Sequence, residues 1–255
     1  MTTTFDLNLL PIARYAGRDY PELLGLLSSE PGRRTARGRN LDRLILYFIS
    51  EGNASLPPDK RDQVLAELAK LYYQTPGSVT AALRKTVDEL NRLILERNLN
   101  LGPSRQGVGH LVQIVLREDR LTIAQTGVLQ VVLVSANGIR HFENNELSGR
   151  GLGIAKSGPV WFSQASIQPN DTLLLTTRSV QEWSQDVLRG IHGQGPESLR
   201  RRLFYQTNSD LNAVVIQLKQ GKGKTLLLWS GSAQSAPSSE KKDTGAAEPL
   251  PQAVP

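Results

Sequence analysis

Asp171-Thr-Leu-Leu-Leu-Thr-Thr-Arg178 is an apolar strand with a turn in front of it and an arginine at its far end. The turn, Gln168-Pro169-Asn170-Asp171, is built from residues that bend a chain, and Asp171 suits an Asx-type turn that starts a strand. Working outward, Leu121 to Val134 reads LTIAQTGVLQVVLV and Asp210 to Lys219 reads DLNAVVIQLK. These stretches, with His110 to Arg117 and Val160 to Ser166, are rich in Val, Ile, Leu and Thr and read as strands. Glu118-Asp119 is placed to tip one hairpin and Asn137-Gly138 another, with Ile139 to Phe142 returning. Gly149 to Gly158 reads as a flexible connection.

Helices surround this meander. Pro57-Pro58-Asp59 opens one, with Val64, Leu68, Leu71 and Tyr72 recurring at helical spacing. Ser78 caps a longer one whose inward face is Val79, Leu83, Val87, Leu90 and Ile94. Asn40 is placed to cap a third, with Leu41, Leu44, Ile45, Phe48 and Ile49 as its apolar face. Ile12 to Leu27 would hold a strand and a short helix with Pro21 in its first turn. Val180 to Ile191 and Pro196 to Tyr205 complete the helical set. Helices, then hairpins, then helices and a closing strand specify an α+β domain, not alternating βαβ units. Its expected limits are 20–220, after an N-terminal segment over 1–19. From 221 to 255 the Ser/Ala/Pro-rich tail has too little apolar surface to offset its ordering entropy, so disorder is expected from about Ser230.

Composition narrows the chemistry. The chain has no cysteine, which excludes disulfides, thiolate metal sites and a cysteine nucleophile. His110, His141 and His192 show no metal-ligand spacing. No basic, apolar leader opens the chain, and no apolar run approaches membrane length, so a cytoplasmic protein with no membrane partner is expected. The formal charge of +6 is concentrated partly in Arg33, Arg34, Arg37 and Arg39 and partly in Arg200, Arg201 and Arg202. Nucleic-acid binding would want aromatics interleaved with such patches, and the pattern argues against it. Gly149-Arg-Gly151-Leu-Gly153 lacks dinucleotide spacing, and Gly223-Lys224-Thr225 lacks the first glycine of a phosphate loop. Trp161 and Phe162 are adjacent on a strand and so face opposite sides, while Trp183 is expected to cover a sheet.

The order of these segments resembles the metal-dependent serine/threonine protein phosphatases, the PPM or type 2C family. The likeness runs from about Pro21 to Leu218 and is strongest from Gly107 on. Leu152-Gly153 matches the end of a family loop, and Pro169-Asn170-Asp171 before Leu173-Leu174-Leu175 is similar to its proline-glycine-aspartate turn. The resemblance implies an α/β sandwich of two mainly antiparallel sheets flanked by helices, with two metal ions held at one end by aspartates. At those places the residues differ. Where the family has Gly-Asp-Ser-Arg, this chain has Gly127-Val128-Leu129-Gln130. Where it has Ser-Asp-Gly, Thr177-Arg178-Ser179 stands, and where its last strand opens Asp-Asn, Leu211-Asn212 stands with Asp210 one residue early. The family's first motif, an aspartate followed by glycines, has no match; Gly32 to Asn40 lies in about the right region and holds arginines.

Val128, Arg178 and Leu211 therefore mark degenerate metal positions, and neither metal nor other cofactor is expected. A guanidinium at Arg178 would repel divalent ions by about 4 kcal/mol per unit charge at roughly 4 Å and an effective dielectric near 20. The reading is a catalytically inactive phosphatase-like protein, a pseudophosphatase that binds or scaffolds an unidentified protein partner, including a phosphorylated or anionic one. Arg178 with Arg33, Arg34, Arg37 and Arg39 forms a candidate anion site, because arginine forks grip phosphate and carboxylate at two points; the alternative is that Arg178 only fills space. Two other functions stay open: an active phosphatase using manganese or magnesium, and a binder of anionic polymers through the arginine loop. Asp210 and the acids of Glu143 to Glu146 are the carboxylates to watch beside Arg178.

Overall fold

The computed structural model describes residues 4–20, 23–177, 180 and 182–228. The chain opens with β1 (Phe5–Tyr15), β2 (Arg18–Tyr20), β3 (Leu26–Ser29) and β4 (Arg43–Gly52), followed by helices α1 (Pro58–Gln74) and α2 (Val79–Leu101). Then come β5 (Gly107–Arg117), β6 (Arg120–Thr126), β7 (Gln130–Ser135), β8 (Gly138–Phe142), the short α3 (Asn145–Ser148), β9 (Trp161–Ser166) and β10 (Thr172–Thr176). Helices α4 (Gln185–Arg189) and α5 (Pro196–Tyr205) precede β11 (Leu211–Gln220) and β12 (Thr225–Leu227).

Two sheets result. One is seven-stranded, ordered β12-β1-β11-β10-β7-β8 with β2 on β1, and the other is five-stranded, ordered β3-β4-β5-β6-β9. Neighbours are antiparallel except β1 and β12. The sheets face each other across Leu7, Leu9, Ile45, Tyr47, Ile114, Ile123, Val131, Leu175 and Ile216. Helices α1 and α2 cover the outer face of the five-stranded sheet, burying Leu65, Leu68, Leu83 and Leu90 against Leu44, Leu46, Phe48 and Leu111. Helix α5 and Trp183 cover the other sheet over Leu10, Ile12, Leu174 and Val215. Each buried aliphatic of this kind contributes about 1.5–3 kcal/mol. Trp161 packs between the sheets and Phe162 under the helices, as strand alternation requires.

The ends of the elements follow local chemistry. Ser78 accepts a hydrogen bond from the Ala81 N–H at the start of α2, and Pro58 opens α1 where its missing N–H costs nothing. Hairpins close at Glu118-Asp119 and before Gly138, and the Asp171 carboxylate accepts the Gln168 N–H at 2.8 Å to shape the turn before β10.

The N-terminal third departs from expectation in two places. The stretch expected as a helix from Leu41 to Ile49 instead runs into β4 (Arg43–Gly52). Its alternate residues are buried on both faces, Ile45 and Tyr47 toward the other sheet and Leu44, Leu46 and Phe48 under the helices. A strand covered on both sides loses its period of two and mimics a helical face. Second, β1 is an inner strand between β11 and β12, so Phe5 to Tyr15 belongs to the domain and not to a separate segment. Its Pro11 pairs with Val214 on one side; on the other, β12 meets residues 7–9 and β2 residues 13–15, so the proline sits in the gap between them. β12 likewise draws 225–227 into the sheet, while Pro21 and the tail from Trp229 lie outside the described residues.

Candidate functional site

The strand register gathers Val128, Thr177 and Leu211 at one end of the sandwich. Thr176 pairs with Gln130 on one side and Ala213 on the other. Val128 lies two residues before Gln130, Leu211 two before Ala213, and Arg178 two beyond Thr176. Arg178 and Ser179 lie outside the described residues. Val128 is half exposed in the turn after β6, and Leu211 is buried under α5 beside Trp183 and Phe204. Its neighbour Asn212 turns the opposite way.

At this same end β4 terminates in Glu51-Gly52, an acid followed by glycine where the sequence reading had sought such a pair in Gly32 to Asn40. Gly52 carries φ +91°, and a Cβ there would lie 2.4 Å from the Gln106 carbonyl oxygen, so only glycine fits. Reading β4 as a helix hid this pair; its signal was an apolar β-branched and aromatic run ended by an acid and a glycine.

The ends of β1, β2, β4 and β11 and the first turn of α1 enclose a cavity of about 640 Å³, lined by Tyr15, Tyr20, Leu24, Tyr47, Arg61 and Asn212 among others. The Tyr15 and Tyr20 rings meet edge to face at 5.6 Å. Asn212 Nδ2 donates to the Tyr15 hydroxyl. Tyr47 is fully buried, and burial pushes its phenol well above the usual range, against the opposing pull of Arg61. The Tyr47 hydroxyl, Asn212 Oδ1 and Arg61 Nε are buried and have no hydrogen-bond partner among the described residues. Glu51 sits on the rim with its carboxylate 3.5 Å from His110 Nε2, and burial holds that imidazole below its ordinary pKa.

The other acids near this end are engaged separately. Asp210 accepts the Ala16 N–H at 2.8 Å, Asp19 pairs with Arg14 at 2.6 Å, and Glu143 accepts from Gln130 Nε2 at 3.0 Å. Among the described residues no three His, Cys, Asp or Glu side chains converge. Magnesium or manganese needs several carboxylate or carbonyl oxygens, and a bridged pair needs more still. Glu51 is the one carboxylate lining the cavity, so the described donors do not fit a two-metal centre.

The arginine loop is a correction. It joins β3 to the start of β4, whereas Glu51 ends β4, so the loop stands at the opposite end of the sandwich. β4 has ten residues, which puts about 30 Å between its ends at ~3.3 Å per residue. Arg33, Arg34, Arg37 and Arg39 therefore cannot share an anion with a group beside Thr177. Arg39 is moreover only 1% exposed. Its guanidinium donates to the carbonyls of Thr75, Gly77 and Ser78, lies 3.5 Å from Asp42 and sits over the Tyr72 ring. Asp42 also accepts from Tyr72 at 2.7 Å and Arg117 at 2.6 Å. That arginine staples the helical layer to the β4 start and is not available to a ligand. Arg33, Arg34 and Arg37 are exposed.

The expected flexible connection is instead strapped down. Asn91 Nδ2 donates to the carbonyls of Ala155 and Lys156, and Asn91 Oδ1 accepts the Gly153 N–H. Asn98 bonds Gly107 and Gly153 together, and Leu152 bridges to Gly109.

Two antiparallel sheets packed face to face between helical layers are the sandwich of the type 2C serine/threonine phosphatases, and this chain has that fold. Solved structures that share it include Stp1 from Staphylococcus aureus, at TM-score 0.64 and 12% identity, covering 87% of this chain and 97% of that one. The S. agalactiae serine/threonine phosphatase superposes at TM-score 0.62 and 12% identity, over 85% of this chain and 100% of that one. The PP2C phosphatase domain of SpoIIE from Bacillus subtilis, with a fragment of its regulatory domain, gives TM-score 0.60 and 12% identity over 87% and 65% of the two chains. Comparison with protein-family models and with curated proteins returns no match.

Proposed function

We propose that this chain is a phosphatase-fold protein that has given up metal-dependent hydrolysis and acts by binding, in the cytoplasm, a protein partner that carries anionic groups. The observation that carries the reading is the lining of the sandwich-end cavity, where three phenols, an amide and a guanidinium accompany a single carboxylate. Hydrolysis through two bridged ions needs carboxylates to hold the ions and so generate hydroxide near neutral pH. A phenol ionised only well above neutrality, such as Tyr47, supplies no such anion. Arg178, where the resemblance implies an aspartate, adds a permanent positive charge to the same reading.

The test is turnover of p-nitrophenyl phosphate and of a phosphopeptide by the full chain, with manganese or magnesium, with and without chelator. The expected outcome is no metal-stimulated release of product. Turnover that chelator abolishes and that Glu51→Gln removes would replace this reading with that of an active phosphatase.

A further inference from the structure

The loop between β3 and β4 is tied down between its exposed cations. Thr35 Oγ1 donates to the Gly32 carbonyl at 2.6 Å, and the Ala36 N–H to the Tyr73 carbonyl at 2.8 Å. The Gly38 carbonyl accepts from Arg117 Nη2 at 2.6 Å, and buried Arg39 staples the next position to the helical layer. What these bonds hold in place is a backbone that presents Arg33, Arg34 and Arg37 to solvent. Those three arginines, and Lys70 on α1, form no ion pair among the described residues. A backbone already fixed loses little freedom when a partner takes its charges, which favours binding.

Between this loop and α1 lies a groove of about 330 Å³. Exposed Arg34 lines it from the loop side and exposed Lys70 from the helix side, while half-buried Leu27 and buried Ala69 and Tyr73 supply apolar surface. Glu30 is the one carboxylate of the lining, and it already accepts from Thr225 Oγ1 at 3.2 Å. We infer that this groove is a docking site for an acidic peptide segment of a protein partner, in which carboxylates flank one aliphatic side chain. The aliphatic group packs against Leu27, Ala69 and Tyr73. One flanking carboxylate takes the Arg34 fork at two points and the other takes the Lys70 ammonium, with Arg33 and Arg37 adding positive charge on the loop side. A polynucleotide fits less well, because the Tyr73 ring is only 5% exposed and offers no face on which a base could stack. The inference deepens the proposed function and rests on it for the partner being a protein; the groove itself is separate from the cavity at Glu51.

Fluorescence anisotropy of a dye-labelled Glu-Glu-Leu-Glu-Glu peptide with the full chain tests this. The peptide should bind, and Gln-Gln-Leu-Gln-Gln should not. Glu-Glu-Ser-Glu-Glu should bind roughly tenfold more weakly, having lost the buried aliphatic group. Arg34→Gln should weaken binding about threefold, and the pair Arg34→Gln with Lys70→Gln about tenfold, as the loss of exposed ion pairs implies. Both side chains are exposed, so these variants should melt with the wild type. Arg201→Gln removes the same charge from α5, in the opposite helical layer, and should leave binding unchanged. No binding by the wild type at millimolar peptide overturns the proposal, as does an equal loss from Arg34→Gln and Arg201→Gln, which would reduce the attraction to net charge. Tighter binding of a single-stranded RNA oligonucleotide of the same charge would overturn the choice of a protein partner. Chelator-sensitive turnover of p-nitrophenyl phosphate with peptide binding intact would sink the non-catalytic reading and leave the groove standing.

Discussion

His110 shows how a single side chain ties the candidate site to stability. It is buried on β5, its Nδ1 has no partner among the described residues, and the turn at Gly127 closes over it: a Cβ at Gly127 would lie 2.1 Å from Nδ1. Burial depresses its pKa below 6.5 against the pull of Glu51. The unfolded chain therefore binds a proton that the folded chain refuses. This group's contribution is fully present above pH 6.5 and is lost as pH falls from there toward the folded pKa. Urea unfolding followed across that window should show stability falling with acidification, and His110→Gln should flatten the slope; equal slopes in both proteins would remove His110 as the cause. At this scale the sequence was readable where register alone decides. The pairing of β10 with β7 and β11 followed from the apolar pattern, and it sets Val128 and Leu211 at the same end of the sheet. Tyr47 and Glu51 were missed because their meaning depends on β4 being a strand, on which the alternation of Ile45, Tyr47 and Ile49 faces the opposite sheet.

Among the elements, α2 does more than cover a sheet. Asn91 and Asn98 sit on its buried side and hold the backbone of the 149–158 segment, where a sequence rich in glycine looked free. Asn98 alone donates to the Gly107 and Gly153 carbonyls and accepts the Gly107 N–H. Asn98→Ala would leave those groups unmet and should cost about 2–4 kcal/mol. Limited trypsin digestion gives a second readout, since Arg150 and Lys156 are exposed but backed by this clamp. The variant should be cut there faster than the wild type while α1 and the sheets stay protected. Glycine content signalled a break in regular structure, and correctly so. What it did not signal was that side chains some 60 residues earlier satisfy the broken backbone, because such bonds link positions that no local pattern connects. The helices beginning at Pro58 and Ser78 were legible for the converse reason: one face is apolar, one is wet, and their caps are local.

For the whole molecule, the boundary drawn at residue 20 was the largest misreading. β1 carries Pro11, and the three-dimensional order places it in a gap between two partners on that side. A chain beginning at Tyr20 would lose β1 and with it Phe5, Leu7, Leu9, Leu10 and Ile12, all at most 1% exposed. At about 1.5–3 kcal/mol for each side chain, that loss matches the whole stability of a typical domain. Such a chain should show no cooperative thermal transition by circular dichroism, whereas a cooperative melt near that of the intact protein would restore the shorter domain. No helix among the described residues is long and apolar enough to cross a membrane.

The same strand order has a consequence for synthesis. The five-stranded sheet uses residues 26–166 and can assemble while the ribosome is still working on the rest. The seven-stranded sheet cannot, because β1 must wait for β11 and β12. Apart from its short pairing with β2, β1 thus gains its neighbours later than the strands of the other sheet do. For most of translation its apolar side chains stand open to chaperones and to other nascent chains, and slowing elongation would prolong that exposure without bringing its partners any closer.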